Sequence, residues 1–540
     1  MTEEGLLVYP IMKFSPPILT MLILTQAALS LQCSRTPDFS EARKSMLTVQ
    51  IATEPVSLDP AMAEDGAALR ILGNLMDGLV GYDGGGQLIP LLAESYQLSP
   101  DGKRYEFKLR STARWSDGKP VAIQDFIFGL RRSLGPRSRS KLASTLFSIR
   151  GARAFHQGRI PAEQLGIAEQ NGRLVIETEY PAPTLIQALS LPVALPIRED
   201  ILKKGTNAVH EENDWPETAP STGAYRITKH LPDQKLILEQ NPYYHGGNDG
   251  IRTIELVVIS DESTAMNLFE KGKIDILTKV HSIDLKRLRE MQTLHTDPFY
   301  ATYFLSFNVR KAPFNVREWR RAVASAIERD QIVQALDTGD LPASSWIPKG
   351  LEGFSPYQQE SKIFDDAIVW AAKRQRDSPI KQVIPASFDT SNRNTMIMEK
   401  VQQDLIQAFR LRLSLQKLDW KSYIKMLQTD APPLFRFGFQ APFMDPLTHL
   451  LAFTSTDPNN YTGWKNKTYD RLVSEIERMP PGKTRETKII RAQKILTEEE
   501  AIVIPIFHYV QHHAVSKRVR NFRVNALGLA RYEELRLNDP

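Results

Sequence analysis

The sequence predicts an α/β fold divided into more than one lobe. Its 540 residues exceed what one hydrophobic core usually organises. Short β-rich runs alternate with amphipathic helical segments in two blocks, and the second block begins near residue 300. This alternation is typical of α/β domains, and we expect two sheets that face each other. With 42% hydrophobic and 24% charged residues, the chain has the composition of an ordinary globular protein.

The N-terminal segment differs in composition from everything that follows it. An apolar run after Lys13 leads into small residues and then Cys33, the only cysteine in the sequence. This order is typical of an export signal, and the run is too short for a membrane-spanning helix. We expect residues 1–33 to be the signal and 34–45 to be a polar linker. The position of Cys33 resembles that of the lipid-modified cysteine of bacterial lipoproteins, and plain cleavage after Ser30 is the alternative.

Local patterns place the elements of the first block. Strands are expected at 46–52, 105–110, 173–179 and 251–260, and helices at 68–83, 122–134 and 263–272. Residues 222–244 are expected to form a hairpin that turns at 231–234. The glycines at 84–86 are expected to form a tight turn, because the Lys-Ser/Thr pair of a phosphate-binding loop is missing.

The second block continues the same alternation. Strands are expected at 302–309, 383–389 and 412–420, and helices at 316–336 and 396–409. The C-terminal run 501–515 is strand-like, and we expect it to return to the first block.

Charge and motifs argue against several classes of function. The formal net charge of +5 gives no electrostatic reason to expect nucleic-acid binding. The sequence contains no motif of a serine hydrolase or a zinc protease, so we expect no catalysis and no cofactor. His508 and His512 stand in a strand-like run, where four residues separate their side chains by ~13 Å. That distance argues against a metal site shared by the two histidines.

Several segments resemble one protein family. Three long segments, 93–132, 221–246 and 304–332, carry most of the resemblance. Shorter pieces follow the same order, among them "EPVSLDPA", "NLFEKGKIDI", "LDWKSYIKML", "NYTGWKNKTYDRLV" and "AIVIPIFHYV". From about Leu47 to about Phe522, the chain is similar to the extracytoplasmic solute-binding proteins of oligopeptide and dipeptide ABC importers (bacterial solute-binding family 5).

The resemblance implies a two-lobed periplasmic-binding-protein fold of the large type II class. In that fold an extra domain is inserted in the first lobe, and a hinge joins the lobes. Closure of the lobes would bury a ligand between them. The implied boundaries are 46–88, 210–298 and 500–540 for the first lobe, 89–209 for the inserted domain, 299–499 for the second lobe, and 295–303 and 496–504 for the hinge.

The resemblance also points to a ligand-binding strand in "RFGFQAPFMDP", residues 436–446. In peptide-binding members of the family this strand carries an Arg, a Gly, an aromatic residue and an Asp that grips the α-ammonium group of the peptide. These positions correspond here to Arg436, Gly438 and Phe439, and the Asp position is occupied by Pro442. The usual partner of the ammonium group is therefore missing, and proline also removes a backbone N–H.

Three explanations for Pro442 stay open. The ligand has no free amino group at this place, or another carboxylate replaces the missing one, or the alignment slips by a few residues. The candidate replacements are Asp445 on the same loop, and Glu64 and Asp65 on the opposite lobe.

The other residues of the predicted site have ordinary structural alternatives. Arg436 is expected to bind a carboxylate with two hydrogen bonds, and the alternative is an ion pair inside its own lobe. Gly438 and Gln440 are expected to offer backbone hydrogen bonds to an extended peptide. For Asp445 the alternative is a helix cap. The candidate aromatic residues of the cleft, for which core packing is the alternative, are Phe439, Tyr461 and Trp464.

We therefore expect a non-catalytic binding protein that captures oligopeptides and delivers them to an ABC permease and its ATPase in the inner membrane. It is expected to be monomeric and exported, to the periplasm or the outer face of the cytoplasmic membrane, and anchored by lipid at Cys33. The first alternative is the same scaffold carrying a cell-wall peptide fragment, nickel or haem. The second alternative is a periplasmic chaperone or receptor.

Overall fold

The structure is a computed structural model that describes residues 45–138, 140–204, 215–216, 218–247, 249–356 and 362–538. The predicted signal with Cys33, and nearly all of the predicted linker, lie outside the described residues. Within the described ranges, no helix combines the length and the apolar character that crossing a membrane requires.

Strands and helices alternate along the described chain, as the two-block pattern predicts. The strands of the first half are β1 (Met46–Ile51), β2 (Val80–Tyr82), β3 (Leu88–Pro90), β4 (Ala93–Leu98), β5 (Arg104–Leu109), β6 (Ile167–Gln170), β7 (Arg173–Glu177), β8 (Tyr225–Leu231), β9 (Lys235–Gln240), β10 (Thr253–Val258) and β11 (Ile276–Leu277). Those of the second half are β12 (Leu294–Phe307), β13 (Leu341–Pro342), β14 (Ile384–Asp389), β15 (Leu413–Leu418), β16 (Leu434–Gln440), β17 (Val503–Val515), β18 (Val519–Arg520) and β19 (Arg536–Leu537).

Helices connect these strands and cover the sheets. Those of the first half are α1 (Gly66–Leu75), α2 (Ile123–Leu134), α3 (Ala152–His156), α4 (Leu185–Ala188), α5 (Glu199–Lys204), α6 (Glu262–Glu270) and α7 (Leu285–Glu290). Those of the second half are α8 (Arg317–Ala326), α9 (Arg329–Leu336), α10 (Lys362–Asp377), α11 (Asn392–Phe409), α12 (Trp420–Asp430), α13 (Leu447–Leu451), α14 (Lys467–Glu477) and α15 (Lys483–Lys494).

One continuous sheet runs through both lobes. Its strand order is β15-β14-β16-β12-β17-β11-β1-β10-β9-β8, and β13 also pairs with β17. The sequence predicts two sheets, but the long antiparallel strands β12 and β17 extend through both lobes and join them. Register shifts between Pro298 and Thr302 interrupt the β12–β17 ladder where it passes from one lobe to the other. A separate four-stranded sheet, β4-β5-β7-β6, lies in the inserted domain.

Each lobe has its own hydrophobic core. One cluster of buried side chains unites the first lobe with the inserted domain, and it includes Leu47, Trp115 and Phe126. The second lobe has cores on both faces of its part of the sheet, because successive side chains of a strand point to opposite faces. On β12, Leu305 therefore packs in one of these cores and Phe304 packs in the other.

The local turn predictions are confirmed, whereas two helix predictions are wrong. The predicted helix 68–83 ends at Leu75, and its last part forms strand β2 (Val80–Tyr82). The hairpin of β8 and β9 turns at 231–234, and 84–86 form the turn between β2 and β3. The predicted helix 316–336 is divided into α8 and α9. At the break, the Glu328 N–H donates to Asp404 (3.2 Å) and the Arg329 Nε donates to the carbonyl of Pro505 (2.7 Å). These tertiary contacts override a continuous helical pattern.

The second crossing between the lobes lies later in the chain than the sequence indicates. Residues Ile502 to Phe507, expected in the first lobe, pack in the cores of the second lobe. The interruption of the β12–β17 ladder lies opposite Tyr509, because Thr302 pairs with His508 and Pro298 pairs with Val510. The β17 strand therefore passes between the lobes near Tyr509.

Candidate ligand-binding cleft

A cavity of about 270 Å³ opens where the lobes face each other. One wall is α1 with β2 and the loop around Leu191, and the opposite wall is the end of β16 with the loop that follows it. The C-terminal segment around Leu529 closes a third side. Most lining side chains are aliphatic, and four charged residues accompany them: Glu64, Arg70, Asp77 and Arg531. The cavity thus suits a ligand with apolar groups and few charges.

The β16 strand presents a backbone edge beside this cavity. It pairs with β12 over its whole length, but β14 pairs only with its first two residues, Leu434 and Phe435. Beyond Phe435, no strand of the described chain occupies the second edge of β16. The Ala441 N–H donates to the carbonyl of Tyr300 on β12 (2.9 Å). Since the backbone groups of successive residues point alternately to the two edges, those of Gly438 and Gln440 point to the open edge.

The loop after β16 packs against the opposite lobe. Ala441 and Phe443 are buried in the core that the first lobe shares with the inserted domain. The Met444 N–H donates to the hydroxyl of Tyr82 (3.2 Å). Of the sequence-predicted residues on this segment, Gln440 lines the cavity, and so does Pro442.

A second contact joins the inserted domain to the second lobe. The Tyr180 hydroxyl donates to Glu477 Oε1 at the end of α14 (2.7 Å). The guanidinium of Arg478 lies over the Tyr180 ring, 4.7 Å from its centroid. The inserted domain therefore also bridges to the second lobe.

Arg436 is held inside the second lobe. Its guanidinium forms an ion pair with Asp389 (2.5 Å) and donates to the hydroxyl of Tyr509 (3.3 Å). It also lies over the ring of Tyr303, 4.7 Å from the centroid. The structure thus shows the intralobe ion pair that the sequence left as the alternative, and a ligand role for Arg436 stays a prediction.

The three predicted aromatic residues also contact groups of the second lobe. Phe439 lies 4.7 Å from the ring of His449 and 5.9 Å from that of Trp346. Trp464 is buried in a core of this lobe, and Tyr461 packs on Phe437. None of the three lines the cavity. An aromatic residue that the sequence reasoning missed is Trp420, which stacks on Phe437 of β16 and is 56% exposed.

The candidate replacements for the missing carboxylate are already engaged. Asp445 is buried, forms an ion pair with Arg485 (2.6 Å) and accepts the N–H of Leu447, the first residue of α13, although the N-cap residue of this helix is Pro446. Asp65 accepts the N–H groups of Ala67 and Ala68 and thereby caps α1. Glu64 lines the cavity, but it forms an exposed ion pair with Lys141 (2.6 Å). The structure brings only Glu64 and Gln440 of the predicted residues to the cavity wall.

Asp77 and Arg531, two further charged residues of the wall, are paired with each other and with neighbours. Asp77 contacts Arg531 (3.2 Å) and His245 (2.8 Å). Arg531 also forms an ion pair with Glu533 (2.5 Å) and donates to Tyr244. Although burial opposes ionisation of Asp77, the charge of Arg531 holds the pKa of this carboxyl below its usual value.

Arg70 is the fourth charged residue of the wall, and sequence reasoning missed it. Within the described residues its guanidinium makes no hydrogen bond and no ion pair, and its Nε is buried without a partner. Burial lowers the pKa of Arg70 below its usual value, with smaller opposing effects from Tyr532 and Asp65. The glycines on either side of Arg70 in sequence indicate a cavity only weakly, because a side chain would also fit at Gly73, where an added Cβ would meet nothing within 4 Å. Gly66 and Gly73 both line the cavity.

The histidines of β17 have separate environments. Nδ1 of His508 contacts the Thr302 hydroxyl (2.9 Å), whereas Nδ1 of His512 contacts that of Thr296 (2.9 Å). In the part of the chain that the structure describes, no group of three or more His, Cys, Asp or Glu residues is placed to hold a metal ion.

Comparisons with known proteins agree with this architecture. Residues 87–461 match the bacterial extracellular solute-binding proteins, family 5. The oligopeptide-binding protein OppA of Bacillus subtilis is 26% identical over 488 residues, which cover 86% of this chain and 88% of that protein. The periplasmic murein peptide-binding protein MppA of Escherichia coli is 26% identical over 501 residues, covering 90% of this chain and 91% of that protein.

Solved structures show the same fold. That of the murein tripeptide-binding protein MppA of Escherichia coli superposes with a TM-score of 0.78 at 25% identity. The superposition covers 92% of this chain and 98% of that one. Because the family match spans well over half of the sequence, this chain belongs to the bacterial extracellular solute-binding proteins of family 5.

Proposed function

We propose that this protein is the substrate-binding component of an ABC importer and that its ligand is an oligopeptide bound in extended form. The observation that carries the proposal is the open edge of β16 beside the cavity. The outward backbone groups of Gly438 and Gln440 match those of an added strand. Main-chain hydrogen bonds tolerate different side chains, which suits an importer of varied peptides.

The family supports this proposal. The Bacillus subtilis relative is an oligopeptide-binding protein and the Escherichia coli relative is a murein peptide-binding protein. Members of the family are solute-binding proteins, and we propose a non-catalytic role for this chain as well. The ligand would be captured between the lobes, and the closed form would be presented to the permease and ATPase.

The family is extracellular, and we propose export with a lipid anchor at Cys33 for this chain. The apolar run before Cys33 supports this proposal, and a monomer held at the membrane would meet the permease directly. Metabolic labelling of expressing cells with a fatty acid tests the anchor, with Cys33→Ser as the unlabelled control. A labelled Cys33→Ser variant would contradict it.

A cell-wall peptide is the second candidate cargo, and Pro442 favours it. The cavity wall offers neither a free carboxylate nor a backbone N–H at this position. An α-ammonium group buried there would lack a counter-charge, which is costly. A peptide whose amino end is blocked or linked elsewhere avoids that cost.

The proposal is tested by identifying what the protein carries and by altering the β16 edge. Native mass spectrometry of the purified protein is expected to detect co-purifying peptides. Gln440→Pro removes one outward N–H, whereas Gln440→Ala keeps it, so the two variants form a matched pair. We expect Gln440→Pro to weaken peptide binding about tenfold, the value of one hydrogen bond, with little effect of Gln440→Ala.

Calorimetric titration of both variants with one tripeptide measures this difference, and thermal unfolding verifies that each variant is folded. Equal affinity of both variants would contradict strand addition at β16. Absence of peptide binding by the unaltered protein would contradict the proposed function itself.

A further inference from the structure

Among the described residues, the charge of Arg70 has no partner, whereas the other three charged residues of the cavity wall are paired. Asp77 and Arg531 neutralise each other within one network, and Glu64 pairs with Lys141. Asp65, the carboxylate nearest in sequence, accepts backbone N–H groups at the start of α1. A partly buried guanidinium without a partner costs stability, and proteins rarely retain that cost without a compensating partner.

The space around Arg70 is shaped to admit a partner. Arg70 lies on the face of α1 that lines the cavity, between Gly66 and Gly73. A Cβ added at Gly66 would lie 3.4 Å from Arg70 Nη1, whereas one at Gly73 would enter open space. The glycines therefore leave room beside the guanidinium, and Leu69 and Leu72 supply apolar surface next to it.

The cavity wall opposite Arg70 offers no negative charge that would stabilise a cationic group of a ligand. It consists of Gln440, Ala441 and Pro442, none of which carries a charge. The Gln440 side chain donates to the carbonyl of Leu527 (3.4 Å). The end of the open β16 edge therefore leads into a pocket whose single unpaired charge, within the described residues, is the positive charge of Arg70.

We propose that Arg70 is a specificity-determining residue that binds a carboxylate of the ligand at the Pro442 end of the cleft. This inference rests on the proposed function and specifies its substrate class as peptides with a carboxylate, and no free ammonium group, at this position. The planar guanidinium matches a carboxylate with two parallel hydrogen bonds. The aliphatic wall packs on the carbon atoms beside the carboxylate.

Two sources would provide this carboxylate, namely the C-terminus of the peptide or an acidic group attached at its amino end. Three forms of one tripeptide, Ala-Leu-Ala, distinguish them without introducing an ammonium group. The N-acetyl free acid carries a carboxylate only at the C-terminus, and the N-succinyl amide carries one only at the amino end. The N-acetyl amide carries no charge.

Isothermal titration of the purified protein and of Arg70→Gln with these three peptides tests the inference. We expect the unaltered protein to bind one carboxylate peptide ~10- to 100-fold more tightly than the neutral peptide, the range of a charge-assisted hydrogen-bond pair. Arg70→Gln is expected to abolish that preference and to leave binding of the neutral peptide within about twofold. Arg70→Lys, which keeps the charge but loses the planar pair, is expected to retain part of the preference.

Arg226→Ala is the matched control, because Arg226 lies on β8 outside the cavity and its nearest carboxylate is 3.7 Å away. This variant is expected to keep the full preference. Equal binding of all three peptides by the unaltered protein, or a preference that persists in a folded Arg70→Gln variant, would overturn the role of Arg70 while leaving peptide binding intact. Failure of all three peptides to bind would instead remove the proposed function and this inference with it.

Discussion

Two arginines near the cleft, Arg436 on β16 and Arg70 on α1, have opposite environments. Arg436 is surrounded by groups of its own lobe, with Asp389 at 2.5 Å and the ring of Tyr303 beneath it. Arg70 lines the cavity, and the described chain supplies no partner for it. The two environments predict different roles, because an ion-paired arginine should stabilise its own lobe, whereas an unpaired charge that faces a cavity should contact the ligand. Loss of Arg436 should therefore affect folding, and loss of Arg70 should affect binding.

The largest effect on stability is expected for a third arginine, Arg485, because it is ion-paired like Arg436 but more deeply buried. It forms ion pairs with Asp445 and Glu352, and only 1% of its side chain is exposed. We expect Arg485→Met to lower the free energy of unfolding by about 3–5 kcal/mol, because Asp445 would remain as a buried uncompensated charge. Urea denaturation measures the loss, and adding Asp445→Asn should restore part of it. A loss below about 1 kcal/mol would show that buried pairing does not stabilise this lobe.

Arg436 should show the same effect on a smaller scale. Its side chain is 11% exposed and that of Asp389 is 19% exposed, so water partly screens the pair. We expect Arg436→Met to lower the free energy of unfolding by about 2 kcal/mol in the absence of ligand. If instead Arg436→Met unfolds normally but no longer binds peptide, Arg436 belongs with Arg70 and the comparison fails.

A buried basic group can also remain neutral, as His449 does. Burial, with a smaller contribution from the nearby His508, lowers the pKa of His449 to about 3. Between pH 6.5 and 3 the unfolded chain therefore binds a proton that the folded protein excludes, so stability falls as the pH falls through this range. We expect a loss of about 2 kcal/mol between pH 7 and pH 5 from this group.

The substitution His449→Phe isolates that contribution. Within the described residues His449 Nε2 has no hydrogen-bond partner, and the ring packs between Phe439 and Trp346, so phenylalanine should fit. Urea denaturation at several pH values should show a shallower pH dependence for this variant. An unchanged slope would mean that His449 takes up its proton in the folded state.

The smallest expected effect on stability belongs to Arg70. Since its partly buried guanidinium contacts no partner in the described chain, Arg70→Gln should not lower the free energy of unfolding and should raise it by at most about 1 kcal/mol. The same denaturation experiment measures this change, with Arg226→Ala as the reference. A loss as large as that of Arg436→Met would show that Arg70 stabilises the fold, and the contrast between the two arginines would disappear.

The sequence predicted the helices, strands and turns better than the contacts of the candidate site. Secondary structure depends mainly on residues adjacent in sequence, whereas the contacts of the site do not. The hairpin of β8 and β9 and the turn at 84–86 depend on adjacent residues. The partners of Arg436 and Asp445 lie 47 and 40 positions away, and no local pattern identifies them. Gln440 and Glu64 line the cavity, but their present partners, Leu527 and Lys141, are distant in sequence, and their ligand roles stay predictions.

Arg70 was missed for the same reason. Within "ALRILGNLM" it occupies a place where an amphipathic helix normally exposes a charge to solvent. Only the packing of the Pro442 loop against the first lobe turns that face into the wall of a cavity. Likewise, the helix pattern of 316–336 contains no break, and the contacts of Glu328 and Arg329 with distant segments impose one.

The shared strands β12 and β17 limit how the two lobes can move. Hydrogen bonds between the paired strands resist sliding within the plane of the ribbon, whereas the interrupted ladder opposite Tyr509 permits bending out of that plane. We therefore expect the lobes to move mainly by bending at this interruption. A ligand bound as proposed, against both β16 and α1, would act on the angle between the lobes, and the permease would detect the bound state through that angle.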